Sequence, residues 1–91
     1  MSTIDLDRGF SLHPRVSVRP EPFGALLYHF GTRRLSFLKD RRLLTLVQSL
    51  SDCPSARDAC AAAGIGPADL PRYERALATL VGSSMIVERT S

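Results

Sequence analysis

Pro22-Phe23-Gly24-Ala25-Leu26-Leu27-Tyr28-His29-Phe30-Gly31-Thr32-Arg33-Arg34-Leu35-Ser36-Phe37-Leu38-Lys39-Asp40-Arg41-Arg42-Leu43-Leu44-Thr45-Leu46-Val47-Gln48-Ser49-Leu50 holds the change of period that decides the fold. Up to Leu38 the apolar residues follow a strand-like alternation. From Leu43 they recur at i, i+3, i+4 and i+7 as Leu43, Leu46, Val47 and Leu50, one stripe of a helix. Arg33, Arg34, Arg41 and Arg42 surround the switch. A short sheet therefore runs into a helix, with a basic final strand between them.

Working outward, the alternation over 25–30 puts Ala25, Leu27 and His29 on one side and Leu26, Tyr28 and Phe30 on the other. Both faces are apolar, which predicts a central strand. The breakers from Pro20 to Gly24 separate it from a first strand over 15–19, where Val16 and Val18 share a face. Gly31-Thr32 predicts a tight turn in which glycine supplies the positive φ. The strand over 33–38 then pairs back on the central one and forms an edge.

Asp40 is placed to cap a helix running to Ser51, and Ser51-Asp52-Cys53-Pro54 breaks it. Ser55-Ala56-Arg57-Asp58 has the capping pattern of a second helix, ended by Gly64. Its packing side, Ala56, Ala59, Cys60 and Ala63, is small enough for close approach. A third helix starts at Gly66-Pro67-Ala68-Asp69 and tolerates Pro71 in its first turn, where amide donors have no partner anyway. Leu70, Tyr73, Leu77, Leu80 and Val81 form its stripe, with Ala76 beside it. Gly82-Ser83-Ser84 ends it, and residues 85–88 return as a short strand. Residues 1–12 hold no sustained period and read as a flexible tail on which Phe10 and Leu12 dock. The expected domain spans 13–89. Its class is α+β, winged-helix-like, a three-stranded antiparallel sheet followed by three helices.

Ninety-one residues with 44% apolar content suit one domain with a single core. No apolar run approaches the ~18 residues of a membrane span, and the first residues lack the apolar segment of a secretory signal. The expectation is a cytoplasmic protein without a membrane partner. Cys53 and Cys60 lie seven apart and far from His13 and His29, which is no zinc spacing, so no metal or other cofactor is expected. Gly64-Ile65-Gly66-Pro67 lacks the lysine and spacing of a phosphate loop. The acids are scattered, and neither histidine sits in a nucleophile–base arrangement. The sequence does not read as an enzyme.

Charge is unevenly spread. The net value is +3, yet residues 15–42 hold seven of the twelve basic side chains against only Glu21 and Asp40. An anionic partner is favoured on the sheet side. A winged-helix DNA-binding regulator would read a groove with its third helix, but there Asp69 and Glu74 offset Arg72 and Arg75. That remains the alternative reading, and nucleic acid is not the expected partner; an adaptor for an unrelated protein is a third. An exposed edge strand can instead capture an extended peptide. Arg33, Arg34 and Lys39 would draw its acidic residues, with Arg72 and Arg75 adding charge from the third helix. Equally, such arginines can simply protect an edge from aggregation. Pattern alone leaves protection and capture evenly balanced.

The run from Arg15 to Lys39, above all Pro22-Phe23-Gly24-Ala25-Leu26-Leu27-Tyr28-His29-Phe30, resembles the peptide chaperones of mycofactocin biosynthesis, a branch of the PqqD-like family of precursor-peptide recognition domains. The resemblance covers residues 13–89, and the helical half follows it in pattern only. It implies a non-catalytic domain that binds the leader of a ribosomally made precursor peptide and presents it to a radical S-adenosylmethionine maturase. It also implies that the leader adds to the third strand and lies against the third helix. On this chain that gives Arg33, Arg34, Leu35, Ser36, Phe37 and Leu38, faced by Arg72, Tyr73, Ala76 and Leu80. Tyr73 and Leu80 also suit the core. The exposed edge leaves room for a homodimer.

Overall fold

The elements follow one another as β1 (Phe10–Leu12), β2 (Val16–Glu21), β3 (Gly24–His29), β4 (Arg34–Leu38), α1 (Arg41–Ser49), α2 (Ala56–Ala62), α3 (Leu70–Gly82) and β5 (Ile86–Glu88). A single 3-10 turn, Leu50–Asp52, follows α1. The computed structural model describes residues 4–89.

Alternation through β3 makes it the middle of an antiparallel sheet of order β2-β3-β4. Ala25, Leu27 and His29 are buried beneath it, and Leu38 of β4 joins them from the position opposite Ala25. Val16 and Val18, opposite His29 and Leu27, pack at the margin of the same core. Leu26 and Tyr28 occupy the outer face, with Phe37 and Leu35 opposite them. Gly24 is required by crowding: its φ is +148°, and a Cβ there would meet the Leu38 carbonyl oxygen.

The β3–β4 connection departs from the expected Gly31-Thr32 turn. It spans residues 30–33, and the positive φ falls on Arg33 (60°). Gly31 is needed for space, since a Cβ there would lie 2.8 Å from Cε1 of His29. The buried imidazole organises the turn: its Nδ1 accepts from the amides of Gly31 (3.0 Å) and Thr32 (3.1 Å). The Arg33 amide closes it onto the His29 carbonyl at 2.7 Å.

The helices follow their caps. Asp40 accepts from the Arg42 amide at 2.8 Å to start α1, and Ser55 accepts from the Asp58 amide at 3.2 Å to start α2. Gly64, at φ 78°, ends the second helix in the left-handed region that favours glycine. Leu46, Val47 and Leu50 enter the core from α1 and its 3-10 turn; Ala56, Ala59 and Cys60 enter from α2. Tyr73, Leu77 and Leu80 do so from α3. Val81, expected in that stripe, is exposed: it lies ~100° around the helix from Leu80 and misses the buried face.

The sequence reading put residues 1–12 in a tail; residues 4–12 are packed. Leu6 and Phe10 are buried in the core, and β1 pairs antiparallel with β5, setting Phe10 opposite Glu88 and Leu12 opposite Ile86. The carbonyls of Arg8 and Leu6 accept the Ala56 and Arg57 amides at 2.9 and 2.8 Å, filling donor positions that a helix start leaves open. Arg89 donates to the carbonyls of Ser51 and Cys53, tying the far end of the chain to the loop after α1. A strand of three residues is too short to register a period, which is why it was illegible locally. Residues 1–3 of the expected tail lie outside the described residues.

Candidate binding groove

Among the described residues, β4 has a neighbour on one side only, so its other side presents backbone donors and acceptors with no strand partner there. Along it lie two adjoining hollows between β4, the start of α1 and α3. One, of about 620 Å³, is lined among others by Phe23, Phe37, Asp40, Leu43, Tyr73 and Ala76. The other, of about 300 Å³, is lined by Ser36, Phe37, Leu38, Leu43, Thr79 and Leu80, with Ala76 again at its wall. Phe37, Leu43 and Ala76 border both, so the two form one groove. Small Ala76 opens it: a larger side chain on that turn of α3 would reach toward Phe37 and Leu43.

At one end of the groove, Asp40 binds in two directions. One carboxylate oxygen caps α1, while the other accepts from the Tyr73 hydroxyl and from Arg72 Nη2 at 3.5 Å. Arg72 Nη2 also donates to the Tyr73 hydroxyl at 3.1 Å. Burial alone would raise the Asp40 carboxyl; the Tyr73 hydroxyl, the Arg42 amide and the Arg72 charge outweigh it and hold the carboxyl below its ordinary value. Burial, then the bond to Asp40, pushes the Tyr73 hydroxyl up. The cluster fastens α1 to α3 and keeps a guanidinium at the groove mouth.

The expected site residues divide into three groups. Ser36, Phe37, Arg72 and Ala76 line the groove at accessible positions. Leu38, Tyr73 and Leu80 form its floor and belong to the core. Arg33, Arg34 and Leu35 are exposed but line neither hollow; Arg33 lies in the turn rather than on the strand. Among the described residues, Arg33, Arg34 and Lys39 make no ion pair. Sequence reasoning missed Phe23 and Leu43 as wall residues, and saw Asp40 only as a cap. The one signal available was Tyr73 itself, because a buried tyrosine hydroxyl requires a partner.

The histidines serve turns: His13 Nδ1 accepts from the Arg15 amide at 3.0 Å, as His29 does for its own turn. Among the described residues, no group of three or more His, Cys, Asp or Glu could hold a metal ion. No described helix is long and apolar enough to cross a membrane.

An open strand edge along a groove with apolar walls and charged residues at one end suits an extended chain, and the sequence comparisons bear on which one. The model of the peptide chaperone MftB family matches residues 9–87. The chain belongs to that family. The match runs from the residue before β1 into β5, so it includes the two-stranded sheet as well as the groove. Similar curated MftB proteins carry the name peptide chaperone. The Mycobacterium tuberculosis protein is 59% identical over 88 residues, covering 97% of this chain and 81% of the relative. The Mycobacterium ulcerans protein is 59% identical over 83 residues, with 91% and 76% covered. That of Mycolicibacterium smegmatis is 55% identical over 85 residues, with 93% and 83% covered. No solved structure matches the chain.

Proposed function

We propose that the protein is a non-catalytic chaperone of mycofactocin biosynthesis, binding the leader of a ribosomally made precursor peptide and presenting it to a radical S-adenosylmethionine maturase. The observation that carries this reading is the edge of β4, with no strand partner among the described residues, running along the groove that Phe37, Leu43 and Ala76 share. The name of the curated relatives supports it.

On this reading the leader adds to β4 as a further strand. Main-chain hydrogen bonds supply affinity, and alternate side chains enter the groove to give specificity. Acidic residues of the leader meet Arg33, Arg34 and Lys39 along the edge and Arg72 at the mouth. The maturase supplies the chemistry. An iron–sulfur cluster is held by about four thiolates, and this chain has two cysteines, so the cluster and S-adenosylmethionine belong to the partner. The protein acts in the cytoplasm beside that enzyme.

Calorimetric titration with the precursor peptide, beside a DNA duplex at controlled salt, tests the reading. Peptide binding is expected, and Leu35→Pro should weaken it about tenfold or more by disrupting the edge, with Leu35→Ala weakening it less. No peptide binding at roughly tens of micromolar, together with salt-sensitive DNA binding, would replace this reading with that of a winged-helix regulator.

A further inference from the structure

The two hollows of the groove differ in chemistry. The larger is lined by the charged side chains of Lys39, Asp40, Arg41 and Arg72, beside Phe23 and Phe37, whose rings stack with centroids 4.9 Å apart. Asp40 is already committed to the α1 cap, Tyr73 and Arg72, so the hollow keeps an excess of positive charge. Arg72 is braced: its guanidinium lies 5.0 Å from the centroid of the Tyr73 ring, and its bonds to Asp40 and the Tyr73 hydroxyl both use Nη2. Among the described residues, Nε and Nη1 make no bond and are left for a guest carboxylate. The smaller hollow has no charged residue. Phe37, Leu38, Leu43, Ala76 and Leu80 line it, with Ser36 and Thr79 as its polar members.

The spacing of the hollows follows from the elements that border them. On α3 the larger is bordered by Arg72, Tyr73 and Ala76, and the smaller by Ala76, Thr79 and Leu80, one turn further along. On the strand side the larger extends from Phe37 to Arg41 and the smaller from Ser36 to Leu38, a shift of about one pleat. A helical turn advances about 5.4 Å and two strand residues about 6.8 Å, so the two repeats nearly coincide. In a strand added at β4, residues opposite Ser36 and Leu38 share the helical face, on which Leu38 is buried. Guest side chains two residues apart therefore fall into successive hollows.

We infer that the groove reads a two-point pattern in the leader: a carboxylate side chain in the larger hollow and, two residues away, a branched aliphatic side chain in the smaller. Arg72 and Thr79 set the choice, since each lines one hollow only. The inference rests on the peptide-chaperone reading and adds the pattern that the site selects. A bound chain takes water from the cations of the larger hollow, and a guest carboxylate replaces it with charge-assisted hydrogen bonds. Because Asp40 and Tyr73 already hold Arg72, little side-chain freedom is lost in making them. In the smaller hollow a charged side chain would exchange water for apolar walls and two hydroxyls, so that position rejects charge and favours an aliphatic group. The order of the two residues reports the guest's direction: acid first when it runs antiparallel to β4, aliphatic first when it runs parallel.

Double-mutant cycles between the full chain and synthetic precursor peptide test the pattern, with affinity read by fluorescence anisotropy and folding by thermal melting. Single alanine substitutions along the peptide first locate the positions on which binding depends. An acidic and an aliphatic position two residues apart should each cost about tenfold or more. Arg72→Gln should weaken the unaltered peptide by a similar factor, yet cost less than about threefold with the peptide that lacks the acid. Thr79→Leu, which fills the smaller hollow, should behave likewise toward the peptide that lacks the aliphatic side chain. The crossed combinations should multiply to within about threefold. Both altered residues are exposed and outside the core, so folded variants are expected. Sensitive positions of other chemistry, or at a helical spacing of three or four, overturn the pattern and leave the chaperone reading standing. So does a loss from Arg72→Gln or Thr79→Leu that is equal for every peptide, which is what an effect through the fold alone would give. A wild-type chain that binds no precursor peptide overturns both.

Discussion

The Asp40 carboxylate joins two helices that are remote in sequence, capping α1 with one oxygen and holding Tyr73 and Arg72 of α3 with the other. Tyr73→Phe keeps the buried ring and removes the hydroxyl, so urea unfolding at neutral pH should show a loss of about 1 kcal/mol. The pH dependence follows from the directions of the shifts. The folded carboxyl titrates below its ordinary 3.8, so its stabilisation is complete above that value and is lost as pH falls through the lower folded one. The hydroxyl titrates above its ordinary 10.0, so its stabilisation is complete below that value and is lost as pH rises through the higher folded one. Tyr73→Phe should therefore flatten the alkaline arm of the stability profile and shrink the acid arm as well, since the Tyr73 hydroxyl is the foremost of the groups that lower the Asp40 carboxyl and the Arg42 amide and Arg72 hold only the remainder. At the same scale, Arg33→Glu with Arg34→Glu alters two exposed cations. Stability should change by about 0.5 kcal/mol or less, while peptide affinity falls more at low salt than at high. Equal loss at both salts would mean that the two arginines do not act through charge.

Among the elements, those announced by a local period or cap were legible. β3 read as central because apolar residues occupy both of its faces, and α1 read as a helix because four apolar residues fall on one stripe behind Asp40. Ser55 and Gly64 likewise bounded α2. The elements that depend on remote partners were not legible. β1 has three residues, and its pairing joins Leu12 to Ile86 across most of the chain. In the β3–β4 turn, glycine looked like the residue for positive φ; the His29 ring claims its space instead, and Arg33 takes the left-handed conformation. Phe10→Ala measures how far the first residues belong to the fold. It should destabilise the protein by about 3–5 kcal/mol in denaturant unfolding, as buried aromatic truncations do. A change within about 0.5 kcal/mol is what a surface residue would give and would contradict the packing of β1.

Across the whole molecule, the sheet separates two surfaces of different character. The helical side holds the core and, where β4 and α3 diverge, a groove floored by Leu38, Tyr73 and Leu80. The outer side holds Leu35 and aromatic residues, of which Phe23 and Phe37 also wall the groove. The strand half of the candidate site was visible in sequence, because an edge strand and a run of arginines are both local signals. Its far wall was less so. A helical stripe names the residues that turn inward, but whether they end in core or groove depends on how closely the neighbouring strand approaches. Tyr73 and Leu80 do both, and Leu43 reached the wall by the same geometry. Amide hydrogen exchange of the full chain, with and without precursor peptide, tests the central claim most directly. Peptide should slow exchange at the amides of Arg34–Leu38 and leave β2, the opposite edge, unchanged. Protection confined to β2 or α2, with β4 exchanging as before, would contradict capture at the β4 edge.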